Sequence, residues 1–369
     1  MQRQYVIVLP DGAGHRYAYG RRLVDGKRST DQVWMLVDSA DRTTDAYQIH
    51  LSCLEDRPDV IIESVAGLGR MRGRDVFALI AQVVNESAMV VALDADLYMW
   101  DIAFSSQTPR SLRALIMRPY RGHGSIREGM VWMAKSLLLV AGWLRGHTRD
   151  LSFGALLSFG SPLSLLYRRA TTAVSDPMAV SGQGMSKEVA RVVHGLSPDD
   201  LVVGLVGSTA RRKNPIVAVH GARAAASVLN RGGDAVLLVA SCLEESLRAE
   251  ILAAGDTDPP VRILMYSNYL PDHEYKAAVA ACDVICALYD NEGSSGVVHE
   301  AISAKVPVVA AGSRTLRRLV TVLGAGVEAE LSSESVARAI VDVIQGVAPA
   351  SGCEVEPDGA VELETFVYG

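Results

Sequence analysis

Cysteine is scarce: five in 369 residues, at irregular spacing, which provides neither a disulfide framework nor a repeated metal knuckle. Cys282 and Cys286 flank a run that reads as a buried strand, so reduced thiols in the cytoplasm are expected. Long hydrophobic runs are also missing. The longest, residues 129–144, is interrupted by Lys135 and falls short of the roughly twenty apolar residues a spanning helix needs. The start, MQRQYVIVLP, has a short apolar stretch before Pro10 and Asp11, which reads as a first β-strand rather than a secretion signal. No targeting segment is expected. No extended polar tract suggests extensive disorder, and a net charge of -6 gives no reason to expect a nucleic-acid partner.

What is present is globular in composition, with 49% hydrophobic and 21% charged residues. Single cores stop growing beyond roughly 250–300 residues, so two domains are expected. Charge divides unevenly: residues 1–182 hold 21 Lys+Arg against 18 Asp+Glu, the remainder 15 against 24. Arginines at 70, 72 and 74, and at 118, 121 and 127, could face an anionic acceptor or a membrane surface, or lie on solvated faces. Within residues 129–149, Trp132, Trp143, Arg145 and Arg149 suit a bilayer interface, and equally a buried helix or an oligomer contact.

Short β-branched runs alternate with helical patterns, the rhythm of a parallel sheet. Strands are expected at residues 5–9, 33–37, 60–65 and 89–93, and after a Ser-Gly-Gln-Gly break at 201–206, 235–240, 261–265, 284–288 and 306–310. Helices are expected at 213–231, 243–253, 271–281, 296–304 and 333–345. The fold class is therefore α/β, with two doubly wound domains at 1–182 and 183–345. An acidic tail, 346–369, is either mobile or packed across the first domain. In such sheets ligands bind beyond the carboxyl ends of the strands.

The strand at 201–206 runs into Gly207-Ser208-Thr209-Ala210-Arg211-Arg212-Lys213-Asn214-Pro215, a glycine-containing turn with cations at a helix start. Small residues let backbone N–H groups approach phosphate oxygens, and the cations neutralise them. The strand at 284–288 leads to Glu292-Gly293-Ser294-Ser295-Gly296-Val297-Val298-His299-Glu300. Its Gly-Ser-Ser-Gly opens a helix, while the two carboxylates can reach hydroxyls of one ligand.

With the following AISAKVPVVA, this segment resembles the donor-binding signature of retaining glycosyltransferase family 4, and residues 207–214 resemble that family's glycine loop with paired Arg and Lys. The likeness covers roughly residues 201–320. It implies a GT-B fold, two Rossmann-like domains facing a cleft, and a nucleoside-diphosphate sugar as donor with no other cofactor. It further implies that Arg212 and Lys213 bind the diphosphate and Glu292 the sugar. Glu300 takes the ribose, with Gly207, Ser208, Ser294, Ser295, Gly296 and Val297 lining the donor site. Ser294 and Ser295 depart from the commonest pattern, which bears on the sugar. Lys305 replaces the usual Gly at a helix terminus.

In the first half, the loop with Gly12, Gly14, His15 and Arg16 follows the first strand. It is placed to close over phosphates and acceptor, although His15 and Arg16 could instead be a local cap or solvated. The family often has a His-Asp pair near the reacting carbon. Asp96 can fill the Asp position, and His123 is either a substitute for the His or an ordinary loop histidine. The alternatives carried forward are a sugar-nucleotide epimerase of the same fold and a catalytically silent subunit of a glycosylation complex. The acceptor stays unidentified, and a homo-oligomer is open. A cytoplasmic protein, or one peripheral to the inner face of the membrane, is the expected setting.

Overall fold

The computed structural model describes residues 3–12, 16–117, 126–146, 149–156, 170–175, 177, 185–207, 209–240, 243–266, 270–290, 295–347 and 359–369. The chain divides into two compact units, one of Met1–Leu157, Pro162–Met178 and Asp358–Gly369, the other of Ala179–Pro357 with Ser158–Ser161.

In the first unit the described strands are β1 (Gln4–Leu9), β2 (Gln32–Asp38), β3 (Val60–Val65), β4 (Met89–Ala92), β5 (Ser111–Ile116), β6 (Asp150–Leu156) and β7 (Thr172–Val174). They form one parallel sheet in the order β3-β2-β1-β4-β5-β6-β7. Alternate residues of β1 face opposite sides, as the pleat requires. Val6 and Val8 meet Phe77 and Ile80 of α3 (Gly73–Val83), Ile102 of α4 (Met99–Phe104) and Leu139 of α5 (Ile126–Gly146) in one cluster. α1 (Arg16–Gly26) and α2 (Asp45–His50) complete the early helices of this unit.

The second unit has β8 (Leu201–Val206), β9 (Ala235–Ala240), β10 (Arg262–Tyr266), β11 (Val284–Tyr289), β12 (Val308–Gly312) and β13 (Gly326–Ala329), again all parallel, in the order β10-β9-β8-β11-β12-β13. Every residue of β8 and β11 is buried, the mark of central strands covered on both faces. Its helices are α6 (Lys187–Val193), α7 (Pro215–Leu229), α8 (Glu245–Gly255), α9 (Asp272–Ala281), α10 (Gly296–Ser303), α11 (Arg314–Val322) and α12 (Ser333–Ile344). Val202 and Val206 pack toward α9, α10 and α11, while Leu201, Val203 and Leu205 pack toward α7, α8 and α12. Cys286 is inside β11 and Cys282 follows α9; burial pushes the Cys286 thiol up to about 12, so it behaves as a small apolar side chain.

Part of the acidic tail forms α13 (Gly359–Tyr368), which belongs to the first unit. The Tyr368 ring meets Tyr5 edge-on at 4.9 Å, its hydroxyl donates to the Leu23 carbonyl, and Glu362 accepts from the Ser175 amide at 2.7 Å. Among the described residues no helix is long and apolar enough to cross a membrane.

α10 ends in a Schellman arrangement, with Val306 N–H on the Ala301 carbonyl at 2.8 Å and Lys305 N–H on that of Ile302 at 3.0 Å. The turn puts Lys305 at φ 57°, a left-handed conformation that costs a side-chain-bearing residue about 1–2 kcal/mol. Lys305→Gly should therefore stabilise the chain by roughly 0.5–1 kcal/mol after glycine's greater unfolded-state entropy is deducted. A urea midpoint that rises with unchanged slope checks this.

Candidate active site

In both sheets the strand order reverses between two neighbours, β1 and β4 in the first and β8 and β11 in the second. Such switch points open a crevice at the carboxyl ends of the strands. The two segments singled out in the second half leave from β8 and β11 and so converge on one switch point.

Gly207 makes the first turn. It has φ 74°, and a Cβ there would lie 2.6 Å from Val297 Cγ2, 3.7 Å from Lys213 Nζ and 3.8 Å from Tyr275 Oη. Only glycine fits this backbone and this space. The same measurement shows that the β8 exit, the start of α10, Lys213 and Tyr275 of α9 crowd one spot.

Arg211–Lys213 then form a tight helical turn that ends on Asn214, itself left-handed at φ 46°. Two hydrogen bonds stitch this turn to β11: Asn214 Nδ2 donates to the Leu288 carbonyl at 3.0 Å, and the Asp290 amide donates to the Arg212 carbonyl at 3.0 Å. Arg211 points elsewhere, in a fork–fork pair with Glu250 at 2.6 and 2.7 Å. Arg212 and Lys213 share the face of Tyr289, the last residue of β11, at 5.6 and 5.3 Å from the ring centre. Lys213 is only 5% exposed, and its ammonium donates to the Val206 carbonyl at 3.3 Å.

Ser295 caps the start of α10 through its backbone, its carbonyl accepting from Val298 N–H at 3.0 Å. Its hydroxyl is within 2.9 Å of Tyr289 Oη. The leading amides of Gly296 and Val297 precede any intrahelical partner, as at every helix start. Glu300 follows one turn in and is 6% exposed. Glu292, Ser208 and Ser294 lie outside the described residues.

At the first sheet's switch point, Arg16 opens α1 and is buried in ion pairs with Asp11, after β1, and Asp94, after β4. Asp41 gathers the loop, accepting from the Gly12 amide at 2.7 Å and the Tyr17 hydroxyl at 2.6 Å. A Cβ on Gly12 would meet the Tyr17 ring at 2.8 Å. Asp96 accepts from the Met117 amide at 2.8 Å and from Lys135 at 2.5 Å, tying the exits of β4 and β5 to α5. Gly14, His15 and His123 lie outside the described residues.

The structure thus brings Gly207, Arg212, Lys213, Ser295, Gly296 and Val297 around one point through Tyr289, Val297 and Tyr275. The amino-acid pattern assigns no role to Tyr289 or Tyr275, and Asn214 stands in it only as part of the glycine-loop motif. The available signal was position: Tyr289 ends an apolar strand run and Asn214 precedes the proline that starts a helix.

No protein-family profile matches the chain. No curated protein matches it. Among solved structures the chain is similar to Alr3699/HepE of Anabaena, crystallised with UDP and glucose, at 15% identity and a TM-score of 0.62 over 99% of this chain and 95% of that one. It is similar to WaaG, a glycosyltransferase involved in lipopolysaccharide biosynthesis, at 12% identity and 0.58 over 99% and 94%. A Listeria monocytogenes structure described as a proposed UDP-N-acetylglucosamine 2-epimerase gives 11% and 0.61 over 100% and 93%. At such identities the likeness is one of architecture: the chain has the GT-B fold, two doubly wound α/β units.

Proposed function

We propose that the chain is a glycosyltransferase that takes a nucleoside-diphosphate sugar as donor and transfers the sugar with retention of configuration. The observation that carries this reading is the buried ammonium of Lys213 at the β8/β11 switch point, beside Arg212 and the first amides of α10. A pair of cations and a helix N-terminus around one crevice suit a diphosphate. HepE, similar in fold, was solved with UDP and glucose, which supports a sugar nucleotide as the diphosphate's source.

In this reading Arg212 and Lys213 neutralise the charge that grows on the leaving diphosphate. Ser295, Gly296 and Val297 hold its oxygens, Glu300 takes the ribose diol, and Glu292 the donor sugar. The acceptor-side candidates are Arg16 and Asp96 of the first unit. Retention without an enzymic nucleophile follows from same-face substitution, with the departing diphosphate helping to take the acceptor's proton. The rate then rests on preorganised electrostatics.

Lys213→Ala and Arg212→Ala should each lower turnover by about a hundredfold to a thousandfold while leaving the thermal transition in place. The assay is release of nucleoside diphosphate from a panel of UDP-, GDP-, ADP- and dTDP-sugars, with product configuration read by NMR. Wild-type turnover in both variants would remove the assignment, and interconversion of free sugar nucleotides without transfer would make the chain an epimerase. Tyr289→Leu should raise the donor KM by about fivefold, since a cation over an aromatic face contributes on the order of 1 kcal/mol. Arg16→Ala belongs to a different class: it removes one partner of the buried Arg16–Asp94 ion pair and should cost about 3–5 kcal/mol of stability, seen as a lower urea midpoint.

A further inference from the structure

The first unit carries an apolar face outside its core. α5 is 21 residues long. Its inner side is close-packed: Leu139 is fully buried, and a Cβ on Gly142 would meet the Phe153 ring at 2.7 Å. Its opposite side exposes Met130, Met133, Leu137 and Leu144, with Leu137 at 67%. With half-buried Val140 these residues are spaced alternately three and four apart, the a and d positions of a heptad seam. Ala134 and Ala141 lie one heptad apart beside the seam, where short side chains leave room for a second helix. In α4, which packs against α5, Trp100 and Phe104 are exposed too, their rings 5.0 Å apart, as is Leu97 just before it.

The seven exposed residues together present on the order of 800 Å² of surface. The largest patch on a typical monomer is about 300–600 Å², and a stable interface takes about 800 Å² from each partner. A helix facing water carries charge on its outer side, and one lying on a bilayer surrounds its apolar face with basic side chains that reach headgroups. Three cations on or just beyond α5 are engaged within the unit. Lys135 pairs with Asp96, Arg145 donates to the carbonyls of Ile102 and Ser105, and Arg149 donates to that of Thr108.

We propose that this face is the interface of a symmetric dimer in which α5 packs antiparallel against α5 of a second copy of the chain, with the twofold axis at Leu137. Leu137 is midway between Met130 and Leu144, so each end of the seam meets the other end of its partner. The same register sets Met133 against Ala141 and Val140 against Ala134, large against small, as interdigitating layers require. A parallel pairing would set methionine on methionine and alanine on alanine. In an isologous contact the residue on the axis meets its own copy.

Sedimentation velocity of the full chain at micromolar concentration, with mass from light scattering, should give a species of twice the chain mass. Leu137→Glu should weaken self-association by about a hundredfold or more with unchanged far-UV circular dichroism. Met130→Glu should be rescued on mixing with Leu144→Lys and not on mixing with Met130→Lys. A monomeric wild type, a Leu137→Glu chain that still dimerises, or rescue by Met130→Lys in place of Leu144→Lys would each overturn the proposal. So would a monomer that pellets with phosphatidylglycerol vesicles in a Leu137-dependent manner, which would give the face to a bilayer.

Discussion

Lys213 sets the terms for everything around it. An ammonium withdrawn almost wholly from water loses hydration that only charge, dipoles or a ring face can replace. Here one main-chain carbonyl, that of Val206, and the face of Tyr289 are arranged around it. The stitches from Asn214 to Leu288 and from Asp290 to Arg212 hold the cation turn against β11. Gly207 is the matching constraint on the other side, because any side chain there would enter the space that Val297, Lys213 and Tyr275 converge on.

The two units use one topology in opposite ways. Each places a cation past the first strand of its switch-point pair, Arg16 after β1 and Lys213 after β8. In the first unit the neighbouring strand exit answers with a carboxylate, Asp94, and the pair closes the crevice from within. In the second, the neighbouring strand ends on Tyr289, whose ring offers a weaker, neutral partner. Internal ion pairing ties the first switch point together, whereas the second gathers Arg212 and Lys213 over the ring of Tyr289.

Much of the fold is legible in the sequence. The β8 and β9 runs have clean apolar ends, and both were placed at their observed bounds, as was β3. The strands that escaped are those whose pattern is interrupted. β5 carries Arg113, whose guanidinium reaches Asp150 at 2.8 Å on β6, and β6 carries Ser152 and Gly154. β7 and β13 are only three and four residues long. Glycines and cations at the β8 exit could be read from order and chemistry. Tyr289 could not, because its role depends on a long-range juxtaposition of β8 and β11 that no local spacing encodes. Likewise Arg16 looked like a loop cation, and only the pairing of β1 with β4 brings Asp94 to it. Lys305 stood out as a departure from glycine, and its left-handed backbone gives the physical reason glycine is favoured there.

The central claim is that the β8/β11 crevice is built for a diphosphate. Calorimetric titration of the intact chain with UDP, GDP, ADP and dTDP, each beside its monophosphate, tests it most directly. At least one diphosphate should bind at least about tenfold more tightly than its monophosphate and raise the melting temperature in proportion to its occupancy. Equal affinity for mono- and diphosphates, or no binding by any of them, would contradict the account.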